Sequence, residues 1–335
     1  MRTPGFLGIL QSQLEGLPLE TLERVNSPGG LELRDILEFL INPKDHTVHL
    51  PYEVTDDNIF SPLDDQVSCD HGDELLTTAK VAVCFIANDE CLRNISRVGI
   101  TALESYLSRV SLAKRIWLIV PPISKLHFEN ALVNSQIRDK VKIVPQFESL
   151  CLTPDNRLHV DGQNVVFHPC GSGDSIPSLK REGLLEEFLS DGGEHILFVD
   201  ADNFLGIPTP SLIYDHVVSD CPVTCLITKG SHNDSAPVIC EHAGFNQVIE
   251  RFRFSSYTEI EFFKYISTGT YIVDARINFD DIAWKWHRRK KVVGTNMVVQ
   301  YHRYIDDLTS SFKTRFVIQD RGKSYLQLRS YQTSA

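Results

Sequence analysis

Two glycines, Gly171 and Gly173, stand in the run His168-Pro-Cys-Gly-Ser-Gly-Asp174-Ser-Ile-Pro-Ser-Leu179, after the apolar Val165-Val166-Phe167. Glycine in such a turn lets backbone approach a flat ligand and leaves N–H groups for anionic oxygens. Further on, the apolar Ile196-Leu197-Phe198-Val199 runs into Asp200-Ala-Asp202-Asn203. An acidic pair closing a buried strand is where an α/β sheet presents a divalent metal. Gln146 combines a donor and an acceptor, which suits the edge of a nucleobase. The glycine turn and the acidic strand end together suggest a nucleotide and a divalent cation. Each has a plainer role as well: Asp202 as a capping carboxylate, Gln146 as a surface glutamine.

The elements that must position them alternate along the chain. Apolar runs at 81–87, 115–120, 141–145, 196–199 and 223–228 read as strands. Helical patterns fall at 100–110, near 124–133, at 177–189 and at 210–218, the third opening with Asp174 or Ser175 as cap and ending before Gly192-Gly193. Strands spaced by helices imply an α/β fold with a doubly wound, mostly parallel, Rossmann-like sheet. Residues 1–75 form an N-terminal extension. Leu31, Ile36, Leu37 and Leu40 lie on one helical face there, and the Pro- and Asp-rich 42–65 reads as an extended wrap. Residues 76–280 carry the α/β domain, and 281–335 complete it as a basic C-terminal segment.

Charge and cysteine usage narrow the partners. The chain has 335 residues, with 33 Lys/Arg against 44 Asp/Glu and a net charge of −11, which argues against nucleic acid. From Asp281 onward there are 11 Lys/Arg and 4 Asp/Glu, a local excess able to collect phosphates or simply to form a solvated face. The 8 cysteines show no Cys-x-x-Cys spacing, so a zinc site or disulfide framework is not expected and a reducing, cytoplasmic setting is. No apolar run reaches the ~20 residues of a membrane helix, and the N-terminus has no signal-peptide pattern. A soluble protein is expected.

The same blocks resemble the UDP-sugar pyrophosphorylases, in both the UDP-glucose and UDP-N-acetylhexosamine branches. The family's Pro-x-Gly-x-Gly-Asp-x-x-x-Ser-Leu is met by Pro169, Gly171, Gly173, Asp174, Ser178 and Leu179, and its Val-x-x-x-Asp-Asn by Val199, Asp202 and Asn203. Gln146-Phe-Glu-Ser-Leu150 resembles Gln-x-x-x-Pro with leucine for proline. Val238–Glu250 resembles the strand pair ending in Val-Val-Glu-Tyr, and Arg321–Arg329 copies the spacing of Arg-Glu-Glu-Glu-Phe-x-Pro-Leu-Lys. The blocks run in order over residues 80 to 330. The family's C-terminal β-helix domain has no counterpart before the chain stops.

The resemblance implies a nucleotide-diphospho-sugar transferase fold of the GT-A-like kind, with UTP or UDP-sugar and a sugar 1-phosphate as ligands and Mg²⁺ or Mn²⁺ as cofactor. It implies nucleotide binding by Gln146, Gly171, Gly173 and Asp174, and metal binding by Asp202. Asn203, Glu250 and Thr270 fall at sugar-binding positions, with Thr270 replacing an asparagine. Lys290 and Lys291 resemble a phosphate-binding His-x-x-Lys-Lys segment, and Arg329 stands at the phosphate-binding lysine. One block departs. Where the family has Gly-Gly-x-Gly-Thr-Arg, this chain has Asn88-Asp89-Glu90-Cys91-Leu92 and only Arg93 matches, so Arg93 and Arg329 become the catalytic candidates. Pro237 likewise replaces a glycine N–H with none. Three readings follow: a uridylyltransferase, a catalytically degenerate relative that binds a uridine nucleotide or a protein partner, or, on Asp200-Ala-Asp202 alone, a glycosyltransferase.

Overall fold

The computed structural model describes residues 5–26, 30–42, 46–49, 51–87, 107–231, 234–254 and 263–326. Arg93, Arg329, the loop at 88–92 and most of the helix expected at 100–110 lie outside these residues. Among those described, eleven strands form one sheet. Eight of them make a continuous path: β1 (Ile59–Phe60), β2 (Val81–Ile86), β3 (Ile116–Val120), β4 (Val141–Pro145), β5 (His195–Asp200), β6 (Val223–Lys229), β7 (Tyr265–Asp274) and β8 (Thr314–Ile318). Their spatial order is β1-β8-β6-β7-β5-β2-β3-β4. All pairs in this path are parallel except those of β7, which runs against both β5 and β6.

The five strands read from sequence are therefore present at their expected positions: four are apolar runs buried on both faces, and the fifth, Val141–Pro145, is a partly exposed strand at the end of the sheet. Burial alternates with period two. Ala82, Cys84, Ile86, Ile196 and Phe198 face one core, which the helices Ser175–Arg181 and Leu184–Ser190 close with Ile176, Leu179, Leu185 and Phe188. Val81, Val83, Phe85, Leu197 and Val199 face the other, closed by Phe128 and Leu132 of helix Lys125–Leu132 and by Ile213 of helix Pro210–Val218. Helices on both faces make the sheet doubly wound.

Two expectations are corrected. The single helix at 177–189 is two helices, broken at Gly183, whose φ of +68° is left-handed. Neither Asp174 nor Ser175 caps the first: the Asp174 carboxylate turns to Phe147 and Arg303, and the Ser175 hydroxyl donates to the Ser172 carbonyl at 2.7 Å. The basic run at 287–291 lies on a strand whose residues from Arg288 on are exposed. His287–Val293 pairs antiparallel with Asn296–His302 in a two-stranded hairpin.

The N-terminal helices Gly5–Glu15, Leu19–Val25 and Leu33–Ile41 form a third cluster, in which Leu10, Leu14, Val25, Leu31 and Ile36 pack on Phe147, Leu150, Cys170, Val299 and Tyr301. The wrap that follows joins the main body, since Ile59–Phe60 pairs with β8 and Tyr52–Glu53 with Val238–His242. No helix among the described residues is long and apolar enough to cross a membrane. The seven cysteines among them are all free, six of them buried.

Candidate active site

The C-terminal ends of the parallel strands carry the motif residues. Gln146 follows β4, its N–H donating to the Val120 carbonyl at the end of β3 (2.9 Å). Phe147 and Cys170 are bonded backbone to backbone, which sets the glycine turn beside Gln146. Asp200 ends β5, three inter-strand steps from β4, a span of roughly 14 Å at the usual strand spacing. Gln146, the glycine turn and the acidic turn thus share one edge of the sheet, where open α/β sheets bind their ligands.

The glycine turn is clasped by its own chain. Gly171 has φ +96°, and a Cβ there would lie 2.5 Å from the Arg303 carbonyl oxygen. A Cβ on Gly173 would lie 2.7 Å from the Trp284 ring and 2.9 Å from the Tyr304 backbone. The Gly173 N–H is already spent on the Arg303 carbonyl (3.0 Å). Both glycines are therefore required by the close approach of residues 302–304, and the expectation of a free Gly173 amide is corrected.

Asp174, expected at the nucleotide, is also tied into the turn. It is fully buried, one oxygen accepting from the Phe147 N–H (2.6 Å) and the Ser178 hydroxyl (3.1 Å), the other held by the Arg303 guanidinium. In this structure it braces the turn.

At the acidic turn, Asp200 is half-buried and its Oδ1 accepts from the Asp202 N–H (2.9 Å). Asp202 is fully buried. Asn203, expected at a sugar-binding position, clamps four backbone groups. Its amide nitrogen donates to the carbonyls of Thr268 (2.8 Å) and Ser324 (2.9 Å), and its oxygen accepts from the N–H groups of Leu205 (3.3 Å) and Leu326 (2.8 Å). Two donors and two acceptor sites are all that an amide has. Thr270 is likewise buried, its hydroxyl donating to the Gly206 carbonyl (2.7 Å). Replacing Asn203 by alanine strands buried backbone groups, at about 1–3 kcal/mol for each left unsatisfied. The expected result of Asn203→Ala is a urea midpoint lowered by about 3 kcal/mol of stability; an unchanged midpoint with a raised KM for the sugar phosphate would restore the sugar role.

Glu250, half-buried, opens a short turn whose Phe252 packs against Tyr304 (ring centroids 5.7 Å) and His287 (5.6 Å). Arg289 lies 4.8 Å over Phe252 and donates to the Tyr304 hydroxyl (2.8 Å). Lys290 and Lys291 are exposed on the same hairpin strand. The cationic surroundings act on the histidines. Burial, then Arg253, His46, Lys285 and Arg289, push His287 down to about 3. Burial also takes His168 down to about 4, against its bond to the Pro169 carbonyl. Neutral His168 fits its contacts, with Nδ1–H donating to Pro169 O (2.9 Å) and Nε2 accepting from the Tyr301 N–H (3.3 Å). Arg303, Tyr304, Arg289 and the two tryptophans escaped the sequence reading, because no spacing marks residues that meet the glycine turn only through the fold.

Among the described residues no three His, Cys, Asp or Glu side chains gather as a metal site. Magnesium asks for less, usually one or two carboxylates completed by phosphate oxygens and water, and the Asp200–Asp202 turn offers that donor set.

A glycine turn, a glutamine and an acidic turn thus lie together on one edge of a doubly wound α/β sheet. Residues 139–330 match the model of the UTP–glucose-1-phosphate uridylyltransferase family, and the chain belongs to that family. Its fold is similar to that of the UDP-N-acetylglucosamine pyrophosphorylase of Trypanosoma brucei, solved with an inhibitor, at 12% identity and a TM-score of 0.67 over 100% of this chain and 83% of the other. It is also similar to a mutant of UDP-glucose pyrophosphorylase from Leishmania major, at 10% identity and a TM-score of 0.69 over 98% and 77%. A second mutant of that enzyme, solved with UDP-glucose, gives 11% and 0.69 over 98% and 78%. No curated protein sequence matches the chain.

Proposed function

We propose that this chain is a magnesium-dependent UTP:sugar-1-phosphate uridylyltransferase. The observation that carries the reading is the family match over residues 139–330, supported by the motif residues lying on one sheet edge. In the reaction a phosphate oxygen of the sugar 1-phosphate bonds to the α-phosphorus of UTP, and the bond to pyrophosphate breaks. Gln146 reads the uracil edge beside the Gly171 turn. Glu250 faces the sugar hydroxyls, and Lys290 and Lys291 lie on the hairpin to meet phosphate. Asp202 with Asp200 would hold magnesium, which would supply charge neutralisation on the phosphates. Arg93 and Arg329 steady the charge that develops on the leaving pyrophosphate. The free cysteines suit a reducing compartment such as the cytosol.

Pyrophosphate release from each NTP, with Mg²⁺ and a panel of sugar 1-phosphates, tests this. UTP is expected to be the active nucleotide, and Arg93→Ala or Arg329→Ala to lower kcat/KM by about 100-fold, as loss of a charge-stabilising donor does. Turnover indifferent to both changes would move the phosphate site elsewhere. One observation favours a second reading: Asp89 and Glu90 occupy the family's glycine-rich triphosphate loop. A chain that binds UDP but releases no pyrophosphate from any NTP is that second protein, a uridine-nucleotide binder without turnover.

A further inference from the structure

Arg303 meets the glycine turn through both its backbone and its side chain. It is 5% exposed and follows the hairpin strand Asn296–His302. Its N–H donates to the Cys170 carbonyl (2.9 Å), and its own carbonyl takes the Gly173 N–H (3.0 Å). Two residues on, the Ile305 N–H donates to the Ser172 hydroxyl (3.1 Å). The guanidinium lies 4.8 Å over the Trp286 ring and 5.6 Å from that of Trp284, and holds Asp174 in a buried ion pair. The other oxygen of Asp174 takes the N–H of Phe147, the residue after Gln146. We infer that Arg303 is a positioning residue for base recognition, fixing through Asp174 the backbone that carries Gln146 and the glycine turn.

Stability alone does not call for such a pair. Burying two charges costs about what their attraction returns, and packed apolar side chains of similar volume often serve as well or better. What apolar residues could not do is accept the Phe147 N–H while pinning residues 302–304 against Gly171 and Gly173. A guanidinium flanked by two indole rings and paired to a carboxylate has little freedom left, so the register between hairpin and turn is set by one side chain. Gln146 then meets a base at a fixed height above the sheet edge.

This inference rests on the nucleotide reading, and the experiment separates the two. Calorimetry with UDP and ADP is run on wild type, on Arg303→Lys and on Asp174→Asn/Arg303→Gln, with melting temperatures alongside. The double variant removes both charges and leaves neither buried alone. Its melting temperature is expected to stay close to wild type while its Kd for UDP rises tenfold or more and that for ADP stays put, so the preference for uridine collapses. Arg303→Lys keeps the charge but loses the planar fork, and its preference falls between the two. Should the double variant not fold, Arg303→Lys against wild type carries the comparison. Unchanged UDP preference in folded variants would reduce Arg303 to a structural staple and overturn the inference. Wild type binding UDP and ADP alike would overturn the nucleotide reading, and the inference with it.

Discussion

Replacing Asp89 and Glu90 together by glycine is expected to raise kcat/KM for UTP by two to three orders of magnitude. The chain leaves β2 at Ala87, whose N–H is held by Ile119 O (2.9 Å), and β2 ends beside the acidic turn through the Ala201 N–H on Ile86 O (3.0 Å). The family resemblance puts the triphosphate loop directly after. Two like unit charges ~4 Å apart repel by ~4 kcal/mol at a surface-like effective dielectric. At about 1.4 kcal/mol for each factor of ten, removing one such contact from the transition state is worth about 10³. Glycine also frees backbone N–H groups and left-handed conformations for cradling phosphate. Steady-state kinetics with UTP and a saturating sugar 1-phosphate measures the gain. A double variant no faster than wild type would show that this loop does not meet the triphosphate.

The second large effect is on stability in acid. His168 titrates at about 4, and His216 and His287 at about 3, burial being the first cause in each. A histidine in the unfolded chain titrates near 6.5. The folded values are depressed, so their contribution is complete above pH 6.5 and is lost as pH falls toward the folded values. Between pH 7.5 and 5 each histidine costs roughly 2 kcal/mol, at about 1.4 kcal/mol per unit. Asp307 opposes them. Burial raises it to about 6, so it favours the folded state as pH falls through that value, by roughly 1.4 kcal/mol at pH 5. For these four groups the net loss is about 5 kcal/mol, a large share of the roughly 5–15 typical of a domain. Urea midpoints at the two pH values test this, and equal midpoints would mean that these histidines take up protons in the folded state.

Strand and helix positions were legible where burial is symmetrical. An all-apolar run such as Val81–Ile86 can only be a covered strand, and helix Pro210–Val218 begins at its proline as expected. The motif residues were legible as a set, because a glycine turn and an acidic strand end each have a local cause. Roles were another matter. Gly171, Gly173, Asp174, Asn203 and Thr270, which the resemblance implied meet nucleotide or sugar, each meet their own chain in the fold.

Sequence alone determined the alternation of strands and helices, the position of the acidic turn at a sheet edge and the family. Tertiary structure alone decided that β7, Tyr265–Asp274, runs antiparallel through the middle of the sheet, since strand direction depends on partners distant in the chain. It alone brought residues 302–304 onto the glycine turn. A side chain's hydrogen-bonding capacity is fixed by its type, but what uses that capacity is set by whichever backbone arrives. Asn203 spends all of its on Thr268, Leu205, Ser324 and Leu326, and three of those four lie more than sixty residues away.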